Sequence, residues 1–276
     1  MESVISDSFD VTTLLGSKLG LSTLLPVSFV EEREFTLNNH LNIFPNETFS
    51  TLPKLRYFGV GIKGCYNADD DILVSAYNPS RSNMNLYQFI PIRCVPVDED
   101  LSDSERVNYR LRQRKTINGV EYFLYYLKVL EFGDAIKFKR INPLTGLEEA
   151  YELDSSYLSP TPVKPSTNTT VTSSTSSVVA YNTAKVALSA DEVLEYINVA
   201  YNGDTRYARI SEIGFFTGVD KIVTGTSSQN VSIDYTEAIY TQLFQHLCYS
   251  GISLSRSGVS LDSTFEITSS GIITEA

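Results

Sequence analysis

Between Glu34 and Asp154 the chain repeats one pattern: short runs of aromatic and β-branched residues separated by glycine, proline or asparagine. Such residues fit a pleated surface, and the breaks are too frequent for long helices. Leu55-Arg-Tyr-Phe-Gly-Val-Gly-Ile62 reads as one strand, with Gly59 and Gly61 marking a bulge or a close backbone approach. Leu86 to Val95 reads as a second, which Pro91 assigns to a sheet edge. Asn118-Gly119 is a hairpin turn leading into a strand over 120–129. A further hairpin joins 135–141 to 147–153 through Asn142-Pro-Leu-Thr-Gly146, with Ile136, Phe138 and Arg140 on the face opposite Lys137 and Lys139.

The flanks differ. Residues 1–30 form an arm bearing Leu14, Leu15, Leu19, Leu21, Leu24 and Leu25, either a short helix or a segment packed on a neighbouring subunit, ended by Pro26. In 159–177, 15 of 19 residues are Ser, Thr or Pro, too polar to offset ordering entropy, so this is a linker or an excursion. Beyond it, Ser189-Ala-Asp-Glu192 is a capping box opening a helix through Val193, Ile197 and Ala200, stopped at Asn202-Gly203. Tyr207 to Thr217 is apolar on both faces, as a central strand is. A second helix is predicted from Asp234 to Ser250, with Ile239, Leu243 and Leu247 as its stripe.

These signals predict an α+β, mainly β fold: an antiparallel sheet, sandwich or barrel-like core with two or three short helices and an extended Ser/Thr/Pro-rich loop. The expected organisation is an arm at 1–30, a β-rich part at 31–158, a linker or extended loop at 159–185, and an α+β part at 186–276 packed with 31–158 as one domain.

Chemistry is sparse. The two histidines, His40 and His246, lack paired-ligand spacing, so no His-based metal site is expected, and His246 reads as a core-edge residue of the second helix. Cys65, Cys94 and Cys248 are odd in number and far apart, as buried reduced thiols are. No Gly-x-Ser-x-Gly or phosphate-cradling glycine loop occurs, and Gly251-Ile-Ser253-Leu-Ser255 lacks the second glycine. Asp69-Asp-Asp71 and Asp98-Glu-Asp100 match no calcium loop and read as solvated turns. Catalytic, cofactor-binding and metal residues are therefore all predicted to be none.

Formal net charge is −11, a field that repels a phosphate backbone. The one basic concentration is Arg106, Arg110, Arg112, Arg114 and Lys115. Ser102-Asp-Ser-Glu105 before it is a capping box, predicting a short helix that displays these residues. With Asp98, Asp100, Asp103 and Glu105 just upstream, ion pairing within the chain or between subunits is expected there, rather than nucleic-acid binding. The N-terminus has Glu2, Asp7 and Asp10 but no lysine before Lys18, so no secretory signal is expected, and no run has the length of a membrane span.

Ser211-Glu-Ile-Gly-Phe-Phe216, within Tyr207 to Asp220, resembles the (T/S)-E-(I/V)-G-(L/F)-(Y/F) strand segment that recurs in tailed-phage virion proteins of tail, baseplate and collar. The resemblance covers some 14 residues of 276. It implies a β-rich structural protein that acts in many copies without a cofactor, and it carries over no catalytic residue. In tail-fibre proteins the segment is commonly N-terminal; here it falls in the last third, which favours a neck or tail connector. The expectation is a virion protein, assembled in the host cytoplasm, that forms a ring with its own copies and joins neighbouring virion proteins. Alternatives are a receptor-binding or baseplate/fibre adhesin module, and a polysaccharide or cell-wall hydrolase.

Overall fold

The computed structural model describes residues 8–26, 28–67, 74–142, 145–159, 177–227, 231–268 and 271–274. It is mostly β, with antiparallel sheets and four short α-helices among the described residues, as the α+β, mainly β expectation has it. Two compact units are formed, one from 1–131 and 185–263, the other from 132–184 and 264–275. The second unit begins inside the segment read as one β-rich part.

In the first unit, β1 (Ser8–Thr12) leads into α1 (Leu14–Leu24), followed by α2 (Leu37–Leu41). Strands β2 (Lys54–Gly61), β3 (Cys65–Asn67), β4 (Val74–Ala76), β5 (Phe89–Ile90) and β6 (Arg93–Pro96) come next. They precede α3 (Asp103–Arg106), β7 (Tyr109–Ile117) and β8 (Val120–Val129). After β9 (Glu131–Phe132), β10 (Lys137–Ile141) and β11 (Glu148–Ala150), the chain continues through β12 (Ser177–Ser189) and α4 (Ala190–Ala200). It closes with β13 (Arg209–Thr226), β14 (Ser232–Ser253), β15 (Ser260–Thr268) and β16 (Gly271–Thr274).

An eight-stranded sheet runs β1-β14-β13-β2-β8-β6, with β5 on β2 and β7 on β8. Its core is an aromatic and leucine cluster that includes Tyr57, Leu111, Leu124, Leu127, Phe216 and Leu243. Each such side chain contributes roughly 1.5–3 kcal/mol on burial. Asn118 (φ 51°) and Gly119 (φ 83°) make the turn that joins β7 to β8, in the left-handed region an Asn-Gly pair tolerates. The predicted run over 86–95 is two strands, not one. Pro91 has no N–H to give a ladder, so β5 pairs β2 while β6 pairs β8 at the end of the sheet.

The helix predicted at 234–250 is instead the 22-residue strand β14. Ile239, Leu243 and Leu247 do recur at helical spacing, but from Glu237 to Tyr249 every residue except Phe244 is buried. A surface helix needs a polar face; a run closed on both sides is a central strand. Asp234 caps nothing: its carboxylate accepts from Thr224 Oγ1 at 2.7 Å. The other end signals stand. Ser189 and Glu192 form a reciprocal capping box on α4, and Asn202 and Gly203 leave the helix with positive φ. β13 lies between β14 and β2, central as predicted.

In the second unit, β10 and β11 form the predicted hairpin. The expected alternation does not hold. Ile136 is exposed and Lys139 is buried, because its ammonium reaches Glu148 (2.7 Å) and Glu266 and lies over the Tyr181 ring. The sheet here runs β11-β10-β12-β15-β16 with β9 on β12. Of the Ser/Thr/Pro-rich stretch, 160–176 lies outside the described residues; from Ser177 the chain is strand.

Candidate functional site

The paired strands β13 and β14 bring three donor side chains together. Glu212 is the register partner of Cys248, and Gly214 that of His246. Positions 246 and 248 share a face of β14, so the imidazole, the thiol and the carboxylate of the neighbouring strand converge. All three residues are fully buried. Glu212 Oε2 lies 3.1 Å from His246 Nε2, Cys248 Sγ lies 3.4 Å from the same nitrogen, and all three donor atoms are within 4.8 Å of one another.

The cluster holds a long excursion in place. Glu212 Oε1 accepts the backbone N–H groups of Lys63 (2.9 Å) and Gln88 (3.1 Å), and Oε2 accepts that of Tyr87 (2.6 Å). Ser211 Oγ accepts the N–H of Gly64 at 2.9 Å. Both ends of the 62–88 segment are thereby tied to two consecutive residues of β13. Contact is close enough that a Cβ on Gly64 would lie 2.1 Å from the Ser211 carbonyl oxygen. The Asn83 amide donates to His246 Nδ1 (3.0 Å), so Nε2 carries the proton and donates to Glu212.

Electrostatically the cluster is one-sided. Glu212 accepts throughout, His246 in its neutral form is a hydrogen-bond donor to it, and among the described residues no lysine or arginine reaches it. Burial, and then the Glu212 charge, push the Cys248 thiol up to about 12. The adjacent Tyr249 is raised by burial first, then by Cys65 and Glu212, and its buried hydroxyl has no hydrogen-bond partner. Oxygen, nitrogen and sulfur donors in one pocket are the set that coordinates a borderline-soft divalent cation. Sequence reasoning sought paired histidines and placed His246 on a helix, so it passed over this set. The signal it had was His246-x-Cys248, which brings two donors to one face only in a strand.

Outside the cluster the Tyr87 ring lies tilted at 5.0 Å from that of His246, Tyr77 meets Tyr87 edge-on at 6.0 Å, and Tyr66 lies tilted at 4.8 Å from Tyr77. These three exposed tyrosines adjoin a cavity of about 390 Å³ lined by Lys63, Tyr77 and Tyr87.

Four of the five residues of the basic concentration, Arg106, Arg110, Arg112 and Arg114, are ion-paired within the chain, and Lys115 is exposed. The predicted helix ends at Arg106, and Arg110, Arg112, Arg114 and Lys115 lie on β7, whose hairpin pairing overrides helical display. Arg106 and Arg112 both donate to the buried Asp100, Arg110 to Asp220 (2.7 Å), and Arg114 to Glu121 (2.6 Å). Asp100 is thus no solvated turn residue. Asp69 to Asp71 lie outside the described residues. His40 is exposed at the end of α2, and Ser253 Oγ donates to Ser255 Oγ, with no base beside it among the described residues.

A family model described as a family of unknown function, DUF7208, matches residues 1–269. The chain belongs to that family. No curated protein and no solved structure matches it.

In this DUF7208 member the N-terminal arm is a second candidate surface. β1 ends the eight-stranded sheet, pairing only with β14 among the described strands, and so presents an open edge. α1 buries Gly16 and Leu19 but exposes Leu14 (59%), Leu21 (57%) and Leu24 (80%), with Leu25 (51%) just beyond. From Val11 to Val30 the only charged residue is Lys18, on a chain with 33 acidic and 22 basic residues. Among the described residues, no helix is long and apolar enough to cross a membrane.

Proposed function

We propose that this protein is a non-catalytic structural component that assembles with copies of itself through its N-terminal arm, in the neck or tail-connector region of a tailed-phage particle. One observation carries the assembly reading: an open sheet edge at β1 leads into a row of exposed leucines on α1, and from Val11 to Val30 Lys18 is the single charged residue, Asp10 being the one acid on β1. Interface cores are depleted of charge, and on a chain of net charge −11 this is where two copies approach without like-charge repulsion. The particle setting rests on the resemblance of Ser211 to Phe216 to virion strand segments.

Mass photometry and light scattering across a concentration series test the assembly. The wild-type chain forms closed oligomers, and the double variant Leu21→Glu, Leu24→Glu stays monomeric with an unchanged far-UV spectrum. A wild-type chain that is monomeric at every concentration overturns the reading. The genes flanking its own test the particle setting: portal, sheath or tube genes are expected there.

The tyrosine surface favours a second reading, an adhesin module that takes a cell-surface glycan on its exposed phenol rings. Glycan-array binding that is lost in Tyr77→Ala and Tyr87→Ala would favour it over the first.

A further inference from the structure

We propose that Glu212, His246 and Cys248 hold a zinc-class divalent cation that locks Lys63, Gly64 and residues 83–88 onto β13 and β14. The inference is independent of the assembly reading.

Charge is the first argument. A carboxylate fully removed from water, with three backbone N–H groups but no lysine or arginine, sits beside a thiol and a single imidazole. Buried charge is stable when paired or when it coordinates a metal, and hydrogen bonds alone leave the countercharge missing.

Spacing is the second. Bonds of about 2.0–2.3 Å in a tetrahedral zinc site place donor atoms roughly 3.3–3.8 Å apart. The 3.1 Å and 3.4 Å separations open slightly to admit the ion, and the Glu212–Cys248 pair, within 4.8 Å, adjusts around it. Thiolate as a ligand selects zinc-like ions over magnesium or calcium.

The surroundings are those of a metal centre. Zinc-ligating histidines have their second nitrogen held by an outer partner, and ligating carboxylates are themselves hydrogen-bonded. Asn83 meets Nδ1, and the Lys63 and Gln88 N–H groups hold Oε1. The proton balance is simple. On binding, the Cys248 thiol proton leaves to solvent and a sulfur–metal bond forms. The imidazole proton moves from Nε2 to Nδ1, and Nε2 takes the ion. A half-turn of the Asn83 amide then presents its oxygen to the new Nδ1–H.

The test uses the full chain, purified without chelator and analysed for metal by mass spectrometry, then stripped and titrated with cobalt(II) as the probe. The expected result is one equivalent of zinc per chain as isolated and, on cobalt loading, a thiolate-to-cobalt charge-transfer band. That band is lost in Cys248→Ser and His246→Gln and kept in Cys65→Ser. Zinc reloading is expected to raise the melting temperature of the wild-type chain but not of Cys248→Ser. A folded wild-type chain with neither bound zinc nor a charge-transfer band overturns the proposal, and so does a band that survives Cys248→Ser. Should the substitutions unfold the chain, the wild-type cobalt spectrum and metal content still decide.

Discussion

The carboxylate of Glu237 on β14 accepts the backbone N–H of Leu111 at 2.5 Å, at the point where β7 turns to a left-handed φ of 54°. It also accepts the N–H groups of Arg112 (2.9 Å) and Ala238 (2.7 Å). A leucine at positive φ is strained, and successive N–H groups in such a turn form an anion-binding concavity. Glu237 fills that concavity from another strand.

Burial pushes the Glu237 carboxyl from 4.5 up to about 7, against the pull of its three N–H donors. A carboxyl raised in the folded state binds its proton more tightly there than in the unfolded chain. Its contribution to stability is therefore greatest below pH 4.5 and is lost as pH rises through about 7. In Glu237→Gln that slope disappears. Urea unfolding between pH 4 and 8 is expected to show the cost of the substitution shrinking as pH rises; a constant cost would remove Glu237 as its source.

Asp100 is expected to matter far more than the surface arginines around it. It accepts from the Tyr125 hydroxyl (2.6 Å), Arg112 (2.8 Å) and Arg106 (3.3 Å), all with little exposure. Asp100→Asn leaves the buried Arg112 guanidinium without its countercharge and Arg106 with only the exposed Asp103, at a cost of about 3–5 kcal/mol. Arg114→Ala breaks an exposed pair with Glu121 and costs about 0–1 kcal/mol. Chemical denaturation of the two variants side by side measures the contrast.

The seat of α1 depends on a hydrogen atom. A Cβ at Gly16 would lie 2.4 Å from the Phe244 carbonyl oxygen, while Thr13 caps the helix and donates to Leu243 O. Gly16→Leu is expected to cost about 1–3 kcal/mol and to lift α1 from β14. Hydrogen exchange should then accelerate over residues 14–24 and not in β13. Uniform acceleration would place the loss elsewhere.

In the second unit, Lys139→Met removes the cation that Glu266 meets below the surface. An unpaired buried carboxylate is costly, so limited proteolysis is expected to cleave first within 132–184. Unchanged protease resistance would show the pair to be dispensable.

How much could be read in advance varies with the range of the interaction. Asn118-Gly119, the Ser189 and Ser102 capping boxes, the end of α4 at Asn202-Gly203 and the central character of β13 were all legible. Each is set by residues within a few positions of one another, where dihedral preference and local hydrogen bonding decide.

The misread segments are those whose state depends on distant partners. Ile239, Leu243 and Leu247 satisfy helical spacing, but β13 pairs β14 along its length and β1 pairs its other edge from Gln245 to Tyr249, so its ladder bonds and two-sided burial outweigh the period. Lys139 is inside only because Glu148 and Glu266 meet it there. Arg106, Arg110 and Arg112 look like a binding patch until Asp100 and Asp220 are placed against them. Glu212, His246 and Cys248 are 34 and 36 positions apart along the chain, and strand pairing alone makes them neighbours. The sequence by itself determined a β-rich chain, its turns and its caps, because those follow from local sterics. Which polar groups would be buried together was decided by tertiary structure, because a charge is stable away from water only once its partner has been brought to it.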